Sequence, residues 1–282
     1  MAKVERLTGR ITGRIVDPAD PRIAAFVSIR ERDLTGRQSR FIAEGTVVLR
    51  MLAASAAGGG PFTAEAILLL ENRLAGVADI LAQFDETVPV FVADATVFNA
   101  IAGFDMHRGV LAIGLRQRPQ TLADVLATLP DEALILAACG LSNHDNVGSI
   151  FRNAAAFGAS AVLLDETCCD PLYRKAIRVS VGAVLSVPFV REGTAGDLLA
   201  AIEKRGFALW GLSPRGETDL DAIPPARRTA LVVGAEGEGL PPAILSAIRT
   251  ARIRQKPGLD SLNVATATGI ALHRIAQLNG IV

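Results

Sequence analysis

This 282-residue sequence contains few cysteines and few aromatic residues, and it has no excess of either charge. The three cysteines, Cys139, Cys168 and Cys169, form neither a paired disulfide framework nor a metal-binding spacing, so we expect reduced structural thiols. Lysine plus arginine and aspartate plus glutamate number 29 each, so the overall charge does not indicate a nucleic-acid partner. Such a partner would have to be bound by local basic patches.

Long apolar runs are also missing. No uninterrupted apolar stretch is long enough to span a bilayer, and residues 1–10 are polar and basic without the apolar core of a signal peptide. No cluster of carboxylates and histidines predicts a catalytic metal. We therefore expect a soluble, cytoplasmic protein without a metal or a membrane partner.

Half of the residues are hydrophobic and only 5% are aromatic, which is typical of closely packed α/β layers. From about residue 40, apolar strand-like segments alternate with helix-like ones, which predicts a mostly parallel sheet buried on both faces. The expected strands cover 40–44, 66–70, 88–92, 110–115, 134–139, 161–165, 185–190, 209–212 and 231–234. One expected helix ends at 57, and five others cover 73–84, 122–129, 147–157, 195–204 and 262–277.

The polar, proline-containing stretch 116–121 divides the chain. It predicts a small N-terminal α/β domain over 1–115, a linker with a lead-in helix over 116–132, and a larger domain over 133–282. Residues 1–40 hold nine basic residues against five acidic ones, either as a solvated lead-in or as an RNA contact. A second basic cluster, at 249–256, precedes a polar motif, and that position favours contact with phosphate.

Three polar segments of the second half interrupt an otherwise apolar pattern. In 143–157, Asp145 or Asn146 suits a helix N-cap, and Arg152 is an unusual charge on an otherwise apolar helix. In 231–241 a strand runs into a turn with three glycines, whose backbone amides could line a pocket. In 253–263 a Ser-Leu-Asn set precedes a helix, with Ser261 as a plausible N-cap. Taken together, the segments predict one pocket for a nucleoside-bearing cofactor, with an arginine directed into it.

A dinucleotide-binding or ordinary Rossmann fold is the main alternative. It would require a glycine trio directly after the first strand of the domain. The turn there reads Gly140-Leu141-Ser142-Asn143, and the glycine-rich turn follows a late strand instead. Asp165, at the end of the second strand, nevertheless occupies the place of a ribose-binding acid.

In order and spacing, the three segments resemble the three motifs of the SpoU/TrmH family of RNA 2′-O-ribose methyltransferases, within the SPOUT superfamily. Asn146-Val147-Gly148 with Arg152 resembles the first motif, Gly234-Ala235-Glu236-Gly237 with Gly239 the second, and Asp260-Ser261-Leu262-Asn263-Val264 the third. The segment Ser180–Ala183 with Val187-Pro188 is also similar to the family. The resemblance covers about 133–280, and the N-terminal part more loosely resembles the ribosomal-protein-L30e-like substrate domain of these enzymes.

The resemblance implies a parallel α/β sheet with a C-terminal trefoil knot, which binds S-adenosylmethionine, and a homodimer with a shared active site. It implies that Arg152 activates the ribose hydroxyl and that Asn146, Glu236, Ser261 and Asn263 complete the catalytic set. It also implies that the backbone around Gly234, Gly239, Ile253 and Leu262 holds the cofactor.

The third motif departs from the family pattern. The family has Ile-Pro-Met or similar where this chain reads Ile253-Arg254-Gln255-Lys256-Pro257, so the adenine pocket is altered and two basic residues enter. We expect Arg254 and Lys256, together with Arg40 in the N-terminal domain, to contact RNA.

The resulting hypothesis is methylation of a ribose 2′-hydroxyl in structured RNA, with ribosomal RNA favoured over tRNA because of the additional N-terminal domain. Guanidinium is protonated at any ordinary pH, so Arg152 acts either as an unusual base or as a cation that stabilises charge. A non-catalytic RNA-binding assembly factor on the same fold is the alternative.

Overall fold

The computed structural model describes residues 10–27, 39–102, 108–256, 258 and 261–282. Asp260 and several basic residues of 1–40 (Lys3, Arg6, Arg30, Arg32 and Arg37) therefore lie outside the described residues. The chain divides into two compact units, the first formed by Met1–Pro119 with Leu172–Leu185 and the second by Gln120–Pro171 with Ser186–Val282. Within the described ranges, no helix combines the length and the apolar character that crossing a membrane requires.

The elements are numbered here in chain order. The strands are β1 (Gly13–Ile15), β2 (Arg40–Glu44), β3 (Phe62–Leu70), β4 (Val90–Ala93), β5 (Val110–Arg116), β6 (Ala133–Ala138), β7 (Ala161–Leu164), β8 (Phe189–Arg191), β9 (Ala208–Leu212), β10 (Thr218–Asp219), β11 (Arg228–Val233) and β12 (Arg249–Arg252). The α-helices are α1 (Ala24–Val27), α2 (Thr46–Ala57), α3 (Ala78–Leu81), α4 (Ala95–Ala102), α5 (Leu122–Thr128), α6 (His144–Ala156), α7 (Arg174–Val179), α8 (Ala195–Lys204), α9 (Pro242–Ala247) and α10 (Val264–Leu278). Short 3-10 turns cover Pro21–Ile23, Glu71–Val77, Ala183–Leu185 and Leu220–Ala222.

The second unit is built on one seven-stranded sheet in the order β10-β12-β9-β11-β6-β7-β8, and every pairing in it is parallel. All six residues of β6 are buried, as expected for a strand covered on both faces. Aliphatic side chains from β6, β11, α5 and α8 form the core on one face. This confirms the parallel α/β architecture expected for the larger part of the chain.

The first unit has a mixed five-stranded sheet in the order β1-β4-β3-β5-β2. β5 pairs antiparallel with β2 and β3, whereas β4 pairs parallel with β1 and β3. Residues 172–185 group with this unit although they lie within the sequence of the second. Arg174 on α7 donates two hydrogen bonds, of 3.0 and 2.9 Å, to the buried carboxylate of Glu44 at the end of β2.

Two expected elements differ from the structure. The helix expected at 73–84 is a 3-10 turn followed by the four-residue α3, and Gly76 at their junction disfavours a continuous α-helix. The strand expected at 185–190 is limited to Phe189–Arg191, because Pro188 has no N–H to donate to a sheet. Strand β12 lies inside the sheet, but its two terminal arginines are untypical of a buried strand, so its composition does not predict it.

Candidate active site

The carboxyl ends of the seven strands lie at one edge of the second sheet, because all of the strands are parallel. β11 and β6 are neighbours in register, with Val233 opposite Ala138. The loops that follow them, which contain the second and first polar motifs, therefore begin side by side. In open α/β sheets, this edge is where ligands bind.

The first motif enters this edge on the opening turn of α6. Asn143 is the N-cap, because its side chain accepts the N–H of Asp145 at 2.8 Å. The expectation that Asp145 or Asn146 caps the helix is wrong, since the helix already begins at His144. Asn146 consequently lies inside the first turn, and it is only 7% exposed. A buried amide needs partners for both of its ends.

The second motif forms a loop that closes on itself. Gly239 donates its N–H to the carbonyl of Ala235 at 2.9 Å, and these two residues form an isolated β-bridge. A Cβ at Gly234 would lie 2.3 Å from backbone atoms of Gly239 and Leu240, so only glycine fits there. The glycine at 234 thus lets the loop pack closely against its own backbone.

The third motif ends at the first turn of α10. Asn263 is the N-cap, because its Oδ1 accepts the N–H groups of Ala265 at 2.9 Å and Thr266 at 3.2 Å. Ser261, which we considered as the cap, is exposed and lies two residues before it. Capping by Asn263 decides more than the helix start, because it also fixes the direction of the asparagine amide.

Asn263, Asn146 and Glu236 form one hydrogen-bonded chain, the amide network. Since Oδ1 of Asn263 is used by the helix, its Nδ2 points away and donates to Oδ1 of Asn146 at 2.9 Å. Nδ2 of Asn146 then donates to Oε1 of Glu236. Each amide has one accepting and one donating end, so the cap sets the direction of the whole chain, which has to end on an acceptor such as a carboxylate. One residue from each of the three motifs is brought together in this way.

Arg152 and Ser261 are not members of the amide network. Arg152 lies on α6 six residues after Asn146, and its side chain is exposed, without a hydrogen-bond or ion-pair partner in the described part of the chain. A guanidinium in this position is available to a ligand. The next residue, Asn153, donates to the carbonyl of Ala265 at 2.8 Å and so joins α6 to α10 beneath the network.

The three expected RNA contacts differ in their availability. The guanidinium of Arg40 forms two hydrogen bonds with Glu65, of 2.5 and 2.6 Å, within the first unit. Arg254 is exposed but pairs with Asp221 at 3.2 Å. Lys256 is exposed and has no ion-pair partner among the residues described. Of the three, Lys256 is the cation least committed to the protein itself.

Asp165, on which the Rossmann alternative depended, is only 5% exposed and is fully engaged by its own surroundings. Its carboxylate accepts the N–H groups of Gly140, Thr167 and Cys168 and the hydroxyl of Thr167, at 2.8 to 3.2 Å. It joins the turns after β6 and β7, and its burial separates it from a ribose hydroxyl. The Rossmann alternative is therefore not supported.

The three thiols have no nucleophilic role in this site. Burial raises the pKa of Cys139 to about 12, and burial together with the charge of Asp170 raises the pKa of Cys169 to about 11. Burial also raises the pKa of Cys168. All three remain neutral at physiological pH and act as small packing residues. In the described ranges, no group of three or more His, Cys, Asp or Glu side chains is placed to hold a metal.

The expected cofactor-binding stretch follows β12 at the same edge of the sheet. Ile253 and Leu262 are half-buried, so their backbones lie at the border of the interior. Between them in the chain, Oε1 of Gln255 is enclosed and has no hydrogen-bond partner within the described ranges. An enclosed acceptor without a donor is what a site that binds a polar heterocycle would contain. Gln255 was not among the predicted site residues, although its place in the altered part of the third motif was a usable signal.

Comparison with known proteins agrees with this geometry. A protein of Mycobacterium tuberculosis named as an uncharacterized tRNA/rRNA methyltransferase is 38% identical over 269 residues, which cover 92% of this chain and 90% of the relative. A 23S rRNA (guanosine-2′-O-)-methyltransferase of a Burkholderia species is 31% identical over 67% of this chain and 77% of its own length.

Among solved structures, an AdoMet-bound rRNA methyltransferase from Sinorhizobium meliloti shares the fold, with a TM-score of 0.79 at 24% identity over 95% of this chain and 98% of the other. A structure described as an RNA 2′-O ribose methyltransferase is 27% identical, with a TM-score of 0.74 over 94% of this chain and 98% of the other. The model of the SpoU rRNA methylase family matches residues 133–273, which include all three polar motifs. The chain belongs to the SpoU rRNA methylase family.

Proposed function

We propose that this protein transfers the methyl group of S-adenosylmethionine to a ribose 2′-hydroxyl in structured RNA, and that ribosomal RNA rather than tRNA is the substrate. The observation that carries this proposal is the amide network, which joins residues of three motifs separated by up to 117 positions at the ligand-binding edge of the sheet. The 2′-O-methyltransferase names of the Burkholderia relative and of the 27% identical structure support the reaction type.

The residues at this edge fit a sulfonium nucleoside. The enclosed, unpartnered Oε1 of Gln255 provides an acceptor, and the half-buried Ile253 and Leu262 provide apolar surroundings. When bound, S-adenosylmethionine supplies an already activated methyl group. We assign the backbone near Gly234, Gly239, Ile253 and Leu262 to holding it, and the main task left to the protein is to align the attacking oxygen and to stabilise its charge.

Arg152 is assigned to the ribose hydroxyl. In the transfer, the 2′-oxygen would lose its proton to solvent and form a bond to the methyl carbon while the bond from that carbon to the sulfonium sulfur breaks, which would leave neutral S-adenosylhomocysteine. A charged guanidinium beside the oxygen stabilises the negative charge that develops on it and can also bind the adjacent phosphate. Arg152 is exposed and has no ion-pair partner among the residues that the structure describes, which supports this role. The amide network positions the loop of Glu236 against α6, the helix that presents Arg152.

The decisive variant is Arg152→Ala. Removal of a group that stabilises developing charge typically reduces turnover by about 10²–10³-fold. We expect that loss in transfer of labelled methyl to ribosomal RNA, with an unchanged Tm because the side chain is exposed. Arg227→Ala is the matched control, since Arg227 is also exposed but lies next to the amino end of β11, at the opposite edge. Wild-type turnover by Arg152→Ala would refute the assignment.

Mapping the methylated nucleotide distinguishes ribosomal RNA from tRNA as the substrate. RNA from a deletion strain and its parent would be mapped for 2′-O-methyl groups, and we expect the lost site in ribosomal RNA. A methylation site lost from tRNA instead would identify tRNA as the substrate. Unchanged methylation, combined with retained RNA binding, would favour the assembly factor.

We further propose that the enzyme is a homodimer whose active site is shared between subunits. Exposed small or apolar residues on α6 and α10 (Ala155, Ala156 and Ile270) support an interface there. Mixing Arg152→Ala with Asn263→Asp subunits tests the sharing. If Arg152 and Asn263 of different subunits form one site, mixed dimers contain one intact site and activity returns. If both residues come from the same subunit, every site carries one substitution and activity stays at the level of the unmixed variants.

The trefoil knot and the L30e-like identity of the first unit remain part of the proposal. The closed loop at 234–240 and its hydrogen-bonded link, through Asn146, to Asn263 support a C-terminal segment held against that loop. The mixed sheet of the first unit, with its basic residues, supports a substrate-binding role. Deleting residues 1–119 would remove part of that unit, and we expect weaker binding of RNA with cofactor affinity retained.

A further inference from the structure

Gln255 presents a buried acceptor that the fold leaves unused. Its Oε1 is enclosed, and none of the residues that the structure describes gives it a hydrogen bond. Native structures leave few such atoms, because a buried polar group without a partner destabilises the fold. Gln255 belongs to neither the amide network nor any ion pair of the described residues. A bound ligand that donates a hydrogen bond to this oxygen would remove the cost of burying the amide.

The local pattern of exposure directs Gln255 to the interior. Exposure alternates along this stretch: Ile253 and Gln255 are half-buried, whereas Arg254 and Lys256 are exposed. The stretch therefore turns one apolar and one amide side chain inward and two cations outward. It directly follows β12, whose carboxyl end lies at the ligand-binding edge of the sheet.

We propose that Gln255 accepts a hydrogen bond from the 6-amino group of the cofactor adenine and so selects an adenine nucleoside; this rests on the proposed use of S-adenosylmethionine. The cofactor offers three kinds of donor, namely the 6-amino group, the ribose hydroxyls and the α-ammonium. The ammonium is strongly hydrated and would lose that hydration beside an enclosed acceptor. The hydroxyls can turn toward water, whereas an aromatic amine beside Ile253 matches an enclosed, partly apolar position.

Calorimetric titration with two ligands tests the proposal without any turnover. The ligands are S-adenosylhomocysteine and its 6-deamino analogue, which carries hydrogen in place of the amino group. A 6-oxo analogue is unsuitable, because the amide could rotate and donate to it. The proteins are the wild type, Gln255→Met, which keeps the side-chain volume, and Gln277→Met, which makes the same change at an exposed position of α10.

We expect the wild type and Gln277→Met to bind the 6-deamino analogue about tenfold more weakly than S-adenosylhomocysteine, which is the effect of one buried hydrogen bond. Gln255→Met should bind the two ligands within about twofold of each other. Equal binding by the wild type, or tenfold discrimination retained by Gln255→Met, would overturn the proposal.

Two outcomes separate this inference from the proposed function. If the wild type binds neither ligand, the cofactor assignment fails and this inference fails with it. If the wild type binds both ligands equally, only the role of Gln255 fails. Should Gln255→Met not fold, Gln255→Glu keeps an acceptor at the same position. The glutamate variant should discriminate as the wild type does, and a loss of discrimination would count against the proposal.

Discussion

Two carboxylates stand at the ligand-binding edge of the second sheet, one on either side of β6, and they are used in opposite ways. Asp165 follows β7, is buried, and accepts hydrogen bonds from four groups of its own neighbouring turns. Glu236 follows β11, is exposed, and accepts from the side chain of Asn146. Their positions in the sheet are equivalent, but their remaining capacity for hydrogen bonds is not.

The difference shows how a structural carboxylate can be told from a functional one in this fold. Asp165 organises two turns and is buried away from a ligand. Glu236 ends a chain of amides that begins at a helix cap, so its position depends on groups far away in the sequence. Substitutions at the two carboxylates should therefore change different properties of the protein.

The largest effect on stability is expected for Asp165→Asn. The variant loses the negative charge that strengthens four hydrogen bonds. Its new NH₂ group also faces another donor in either orientation of the amide: the N–H of Gly140 in one, and the N–H groups of Thr167 and Cys168 in the other. We expect the free energy of unfolding to fall by about 2 kcal/mol or more. Urea denaturation followed by the fluorescence of Trp210, the only tryptophan, measures it. A stability equal to that of the wild type would contradict the structural role of this carboxylate.

The next effect is expected for Asn263→Asp, and it falls on activity. Aspartate still caps α10, but its second oxygen faces Oδ1 of Asn146, so the donor in that hydrogen bond is lost. If Asn146 rotates to compensate, its oxygen faces Glu236. We expect methyl transfer to fall by about 10–100-fold, because the loop is no longer positioned.

The control for this variant is its stability. The cap is retained and a negative charge is favourable at a helix N-terminus, so the Tm should remain close to that of the wild type. Asn263→Ala, which also removes the cap, should in addition lose about 1 kcal/mol of stability. Full activity of Asn263→Asp would show that the direction of the amide network has no importance.

The smallest effect is expected for Glu236→Gln, the counterpart of Asp165→Asn. The glutamine carbonyl can still accept from Nδ2 of Asn146, so the network keeps its direction. We expect activity within about tenfold of the wild type and no change in the free energy of unfolding, because the residue is exposed. If the free energy of unfolding of Glu236→Gln fell as far as that of Asp165→Asn, both carboxylates would be structural and the contrast between them would be wrong.

Several features of the fold and the site could be predicted from the sequence, because they follow from local patterns. The buried strands at 133–138 and 228–233 are continuous apolar runs, and the glycine turn at 234–239 and the helix at 195–204 carry their own signals. Strand β12 could not be recognised in this way, since its pairing partners are set by the sheet and not by its composition. The caps were also misplaced, because several polar residues near each helix start compete for the same role and packing selects one of them.

The sequence by itself determined the parallel α/β architecture, the membership of the family and the residue types of the site, because periodicity and motif spacing are local properties of the chain. Only the tertiary structure decided which of these polar groups share hydrogen bonds. It assigned Asn263 to the helix cap, gave the amide network its direction toward Glu236, buried Asp165 among hydrogen-bond donors, and left Oε1 of Gln255 without a partner among the described residues. Hydrogen bonds depend on distances between atoms that the chain order separates by as many as 117 residues, and packing alone fixes those distances.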